Sequence, residues 1–267
     1  MKNKKRYWLV VLGGVFAFLG CEKVIDIPLN EAEQTLVVEA VLKDSPGNNY
    51  ILITKSGSVY EESEFEAVPD AIVTVTDQDG NEFPFLYQGE ALYHSPTFFT
   101  EPNKNYYLKV NAFDREITAT SKTLSKPKLD SLTHTAITGS FGVPVGDTLY
   151  LVSFHSVDEI AEKNYYLLKI FRNGNANAGY YLGNDDFING AYYQAQFFGA
   201  EADPKDTVKV EMISMDQKNY DYYVGLSNNL SNSVFSAAPA NPPSNLVGNA
   251  LGFFGAYTTD TLEILIP

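Results

Sequence analysis

Short apolar runs broken by turn residues dominate the chain from Thr35 onward. Leu36–Val41 and Tyr50–Lys55 read as strands, separated by the loop Asp44-Ser45-Pro46-Gly47-Asn48-Asn49. Residues 71–76 (Ala-Ile-Val-Thr-Val-Thr) alternate with a period of two, the signature of a half-buried strand. They end at Asp77-Gln78-Asp79-Gly80-Asn81, a strong hairpin turn. Phe83–Leu86 returns, and Pro84 predicts an edge strand there. Residues 106–111 and 116–120 follow as strands. About seven short strands in some 90 residues predict a β-sandwich of immunoglobulin-like size over 35–125.

Ser125-Lys126-Pro127-Lys128 is short and polar, and it reads as a domain boundary. Beyond it, 149–154, 165–171, 192–198 and 208–213 read as strands, with a turn at Arg172–Asn175. One segment departs from this pattern. Tyr220, Tyr223, Val224, Ser227 and Leu230 recur at steps of three and four, which predicts a helix over 216–230 capped by Asp216. The proline-rich run from 235 to 243 cannot remain regular for long, and 261–266 should be the closing strand. The expected fold is therefore all-β: two immunoglobulin-like sandwiches, 35–125 and 129–267. The second carries the inserted helix near 216–230, packed on it through Tyr220, Tyr223, Val224 and Leu230.

The first 21 residues follow another logic. A basic head (Lys2, Lys4, Lys5, Arg6) precedes an apolar run from Tyr7 to Leu19 and then Gly20-Cys21. This is the layout of a secretory signal peptide over 1–20, too short for a comfortable membrane span. Cys21 is the only cysteine, so no internal disulfide can form. Phe18-Leu19-Gly20-Cys21 resembles a bacterial lipobox. The resemblance implies a diacylglyceryl-modified Cys21 and anchoring by acyl chains, with 21–34 as an acidic tether containing Pro28. The alternatives are a retained short anchor and an accidental free thiol.

Charge narrows the partners. The chain carries 33 acidic and 19 basic residues, a net −14. Without the basic head, 15 basic residues face 33 acidic ones, a net −18. Such a surface repels phosphate backbones, so no nucleic-acid partner is expected.

Catalytic patterns are missing from the text. There is no His-Glu-x-x-His, no Gly-x-Ser-x-Gly and no phosphate loop, and His94, His134 and His155 are far apart. No enzyme activity and no cofactor are expected. Asp77 and Asp79 are weak calcium candidates that a hairpin turn also explains, and Asn184-Asp185-Asp186 is a second such cluster. The aromatic residues are more informative. Tyr180, Tyr181, Phe187, Tyr192, Tyr193, Phe197 and Phe198 fall within 19 residues. Neighbours on a strand face opposite ways, so each pair can send one ring inward and one outward. Tyr180, Tyr181, Asp185, Asp186, Phe187, Tyr192 and Tyr193 are the candidate ligand or partner surface. The competing explanation is an aromatic-rich core.

Several blocks together resemble a known family: Cys21-Glu22-Lys23-Val24-Ile25, Leu36–Ala40, Pro69–Val75 with Asp79-Gly80, and Asn245–Gly255. This set is similar to a family of uncharacterised Bacteroidota lipoproteins, the domain-of-unknown-function family numbered 4249. The resemblance implies an outer-membrane, lipid-anchored accessory protein near a TonB-dependent transporter, handling an extracellular ligand, for which a glycan or a peptide is the expected class. It leaves the membrane face open and transfers no site residues. The strand 71–76 and its Asp-Gly turn also resemble a carboxypeptidase-regulatory β-sandwich, which implies a scaffold role for the first domain. A structural or adhesive surface protein is the alternative function, and a glycan-active enzyme the third.

Overall fold

A computed structural model of the chain describes residues 34–57, 65–230 and 240–267, apart from 48, 140–142, 145, 161 and 178. The expected signal peptide, Cys21, most of the tether, the acidic stretch 61–64 and residues 231–239 lie outside the described residues. The first seven strands are β1 (Leu36–Leu42), β2 (Tyr50–Lys55), β3 (Ile72–Asp77), β4 (Glu82–Gly89), β5 (Leu92–His94), β6 (Asn105–Ala112) and β7 (Arg115–Lys122). Next come β8 (Leu129–Thr138), β9 (Thr148–Val157), β10 (Tyr165–Arg172), β11 (Asn175–Ala176), β12 (Tyr181–Asn184), β13 (Tyr192–Gln196) and β14 (Thr207–Met215). Helix α1 spans Gln217–Leu230, and β15 (Leu246–Val247), β16 (Ala250–Ala256) and β17 (Thr258–Leu265) end the chain.

The fold is all-β with one long helix inserted. Nine strands form a single hydrogen-bonded path, β15-β7-β6-β3-β4-β5-β2-β1-β16. Its two ends are consecutive in sequence, so the sheet curls into a nearly closed barrel where an open two-sheet sandwich was expected. The inward face follows from alternation: Val38, Ala40 and Leu42; Ile51 and Ile53; Val73 and Val75; Leu108 and Val110; Ile117 and Ala119. Pro84 does not lie on an edge strand, since β4 pairs with both β3 and β5. The pairing with β5 begins only at Leu86, however. At Pro84 itself β3 is the sole neighbour, so no ladder bond is lost.

The chain returns to this first sheet near its end. β16 pairs with β1 in parallel, Leu36 opposite Ala250, and β15 pairs with β7. A parallel pair needs a long crossover. Here the connection takes in β2–β7 and most of the second unit, so residues 246–256 belong to the first sheet although in sequence they lie between β14 and β17 of the second unit.

The second unit has two layers. One sheet runs β11-β10-β14-β17, with β12 also on β10, and the other runs β13-β9-β8. Between them lies a core of Val152, Phe154, Tyr166, Leu168, Ile170, Phe197, Val210 and Met212. The opposite face of the larger sheet is buried as well. Tyr165, Leu167, Ile213 and Met215 pack with Tyr223 of α1 and with Val41, Phe253 and Tyr257 of the first unit. Burial on both faces explains the unbroken apolar text of Tyr165–Leu168.

Helix α1 begins one residue after Asp216, whose Oδ1 accepts the Asn219 amide at 2.9 Å, an N-cap bond. Its packing differs from expectation in two ways. It wedges between both units, not against the second alone, because Tyr222 and Tyr223 meet Phe253 while Tyr220 meets Tyr165. Leu230 is 73 % exposed, because the last turn runs past the sheets.

Candidate functional site

The aromatic segment divides between core and surface. Tyr192 is exposed and Tyr193 turns inward, edge-on to Phe154. Phe197 is buried and Phe198 exposed. Tyr181 packs edge-on to Phe197, and its hydroxyl donates to the Phe198 carbonyl at 3.0 Å. Tyr180 packs on Tyr223 in the helix layer, on the other face of the sheet. Tyr180, Tyr181 and Tyr193 therefore serve packing, and Tyr192 and Phe187 remain as surface rings.

Phe187 is 99 % exposed. The loop that carries it is tightly held. Asp185, expected as a surface acid, is buried. Its Oδ2 accepts the Asn164 amide at 2.9 Å, and its own amide donates to the Asn164 carbonyl at 3.2 Å. Its carbonyl accepts the amides of Ile188 and Asn189. Asp158 does the same from the other side. Its Oδ1 accepts the Tyr166 hydroxyl at 2.7 Å and its Oδ2 the Gly190 amide at 3.1 Å. Burial first, then the hydrogen bond to Asp158, pushes the Tyr166 phenol far above its usual range, so it stays a donor. Asp186 pairs with Lys163 at 2.7 Å on the surface.

Two buried carboxylates thus pin the 158–164 and 185–191 loops to each other. Beside these loops lie exposed apolar side chains: Ile160 over Gly190, Val157 opposite Tyr192 on β9, and Phe187 on the turn between Asp185 and Gly190. Tyr192 stacks on His155 with ring centroids 5.9 Å apart, and its hydroxyl shares a hydrogen bond with His155 Nδ1. Thr133 Oγ1 meets the other ring nitrogen at 2.8 Å. Exposed Gln194 and Gln196 continue this outer face without charge. Sequence reasoning missed Val157, Asp158, Ile160 and Asn164. The sole local signal is an acid directly after a strand.

Asp77 and Asp79 form a turn. Asp77 Oδ1 accepts the amides of Asp79 and Asn81, and its Oδ2 accepts Asn81 Nδ2 at 2.8 Å. Asp79 pairs with Lys104 at 2.8 Å. Among the described residues no group of three or more His, Cys, Asp or Glu is placed to hold a metal ion. The Asn81 side chain above all, then the turn amides and Lys104, holds the Asp77 carboxyl below its usual value. A depressed carboxyl stabilises the fold above its unfolded pKa, and that contribution is lost as pH falls through the folded pKa. Asp77→Ala is therefore expected to melt below wild type at neutral pH, with the gap narrowing as pH falls below the ordinary carboxylate value of about 4. A gap that persists unchanged in acid would show that the carboxylate charge is not what holds the turn.

A crevice of about 590 Å³ opens between the units, lined by Lys43, Asp44, Lys126, Phe171, Lys209 and Glu211 among others. Lys43 pairs with Glu211 at 2.6 Å and Lys126 with Asp44 at 3.2 Å, and Lys209 sits 4.3 Å over the Phe171 ring. The Lys43–Glu211 pair joins the two units across it.

A family model described as "Domain of unknown function (DUF4249)" matches residues 22–263. No match is found among curated proteins.

Proposed function

The chain belongs to the DUF4249 family, and from that premise we propose a non-enzymatic, lipid-anchored outer-membrane protein of Bacteroidota type. In this reading it captures a ligand or protein partner on behalf of a TonB-dependent transporter. The observation that carries it is Phe187, fully exposed at the tip of a loop pair pinned by Asp158 and Asp185. An apolar ring on a rigid mount loses little freedom on binding, which is the economy of an interaction hot spot. The titratable groups beside it also favour binding over chemistry. Asp158, Asp185 and Tyr166 are engaged in holding the loops, which leaves a stacked His155–Tyr192 pair, uncharged glutamines and the mutually neutralised Lys163–Asp186 pair facing outward. Such a face suits a neutral glycan or an uncharged peptide surface. The barrel, with its carboxypeptidase-regulatory-like hairpin, is the scaffold that carries this unit.

Pull-down from detergent-solubilised outer membrane tests the reading. Phe187→Ala and Tyr192→Ala are each expected to weaken capture by at least about 1 kcal/mol, roughly fivefold, with the melting temperature nearly unchanged. Capture that survives both substitutions removes the patch from consideration. Capture of the same partner in membranes lacking any transporter favours the adhesive reading instead. Intact-mass measurement tests the anchor, and a mature chain that is unacylated and begins elsewhere than Cys21 ends that part of the proposal.

A further inference from the structure

The barrel has two unlike ends. At one end lie Lys43, the Asp77–Asn81 turn and Lys122, and there the second unit is attached. At the other end lie Gln34, Lys55, Asp70, the Ala112–Arg115 turn and Gly248, because Leu36 pairs with Lys55 and Ala250, and Ile72 with Asn111. The chain therefore enters the fold at the end opposite the second unit. Residues 22–33 separate this entry from Cys21, and twelve residues reach at most roughly 40 Å.

That entry end carries exposed apolar side chains that the barrel core does not use. Phe113 is 58 % exposed and Phe65 72 % exposed, and Ile72 and Val247 lie exposed on the adjoining outer face. Phe113 stands at a two-residue hairpin turn with Asp114, both in the left-handed region at φ 50° and 55°. Such turns favour Asn-Gly, and a bulky ring there works against the turn's own preference. A local rule broken at an exposed tip points to recognition by something outside the fold. The Lys55 ammonium lies 5.1 Å over the Phe113 ring and pairs with Glu66. A ring beside an ammonium that can rise toward water is the arrangement that side chains adopt at a bilayer interface.

We infer that this entry end rests on the membrane: Phe113 and Phe65 dip into the lipid interface and hold the second unit, with its Phe187 surface, pointing away. The inference rests on the lipid-anchored reading proposed above. Asp70, Asp114, Glu116 and Glu66 outnumber Lys55 and Arg115 at the same end, which makes a zwitterionic surface the fitting one, since an anionic surface would repel the excess acid.

The only tryptophan, Trp8, precedes Cys21, so the processed chain carries none and a single introduced tryptophan is an unmixed reporter. Phe113→Trp, Phe65→Trp and Phe187→Trp are prepared in the acylated protein and placed in phosphatidylethanolamine–phosphatidylcholine vesicles with and without brominated acyl chains. Emission from the first two is expected to shift to the blue and to be roughly halved by the brominated chains, while the third stays water-like. Phe65→Trp keeps the test open if a tryptophan at the strained turn disturbs folding. Equal quenching at all three positions, or none at residues 65 and 113 in protein shown by mass to be acylated, overturns the inference and leaves the anchor intact. Blue-shifted emission without bromine quenching also overturns it, because a protein surface then covers the tip. A chain without acyl groups overturns the anchor and this inference together.

Discussion

Alanine at Gly252 is expected to destabilise the protein by about 3–4 kcal/mol, combining left-handed strain with overpacking. Gly252 sits on β16 at φ +104°, where it pairs with Val38 of β1. A Cβ there would fall inside the contact shell of the Val38 carbonyl oxygen and 2.8 Å from its carbonyl carbon. The obstacle is backbone, so no rotamer change can relieve it. Either the parallel pair opens or the strand shifts, and both expose Phe254, which is fully buried in the barrel core. Urea unfolding monitored by circular dichroism checks this, with Gly57→Ala as the control, since that position has open space around it. A loss below about 1 kcal/mol would mean that β16 can move away from β1 at little cost.

Asn219→Ala is expected to cost about 3 kcal/mol, because it strands several buried groups at once. Asn219 is buried on the first turn of α1. Its Nδ2 donates to the Phe254 carbonyl, to Ser121 Oγ and to Asp216 Oδ1, at 3.0–3.2 Å. Its Oδ1 accepts the Tyr257 hydroxyl at 3.0 Å. Burial above all, then neighbouring Tyr223 and Asp216, pushes the Tyr257 phenol well above its usual range, so it remains a donor in need of an acceptor. Asp216 closes the network by accepting Ser121 Oγ and the Lys122 amide. One side chain thus joins β7, β16 and α1. Calorimetry would read the loss as a fall of roughly 6–12 °C, taking about 2–4 °C per kcal/mol at this size. A fall of a degree or two would show that water or Ser121 replaces the amide without strain.

The two sites differ in how far sequence reveals them. Alternation in Val38-Glu39-Ala40 or Val73-Thr74-Val75 marks the inward face directly, and the Asp77–Asn81 turn and the Asp216 cap are local chemistry read from adjacent residues. The partner of a strand is not local. Nothing in Ala250–Ala256 says that it pairs with β1, since that depends on a close backbone approach made possible by a missing Cβ. Strand β8 escaped notice because most of it is exposed, and Thr133, His134 and Thr135 carry no apolar alternation. Asp185 shows the same limit at the candidate site. An Asn-Asp-Asp tip reads alike whether solvent or a distant amide satisfies the acid, and Asn164, 21 positions away, decides it. The aromatic pairs were half legible. Period-two alternation separates Tyr192 from Tyr193, but Tyr180 and Tyr181 both turn inward because the larger sheet is covered on both faces.

The parallel pairing of β1 with β16 also sets the order in which the protein can be made. The first of the described strands waits for one of the last, so the barrel cannot close during synthesis until nearly the whole chain is present. Contacts at such separation are slow to form, because loop closure must be completed before they contribute. Until then β1 and β7 are unprotected edges able to pair with other chains. A fragment ending near residue 125 keeps those edges permanently and should aggregate, even though its strands hold most of the first core. Were the chain exported, as the proposed lipid anchor requires, the waiting period would fall after translocation, where holding chaperones would have to bridge it.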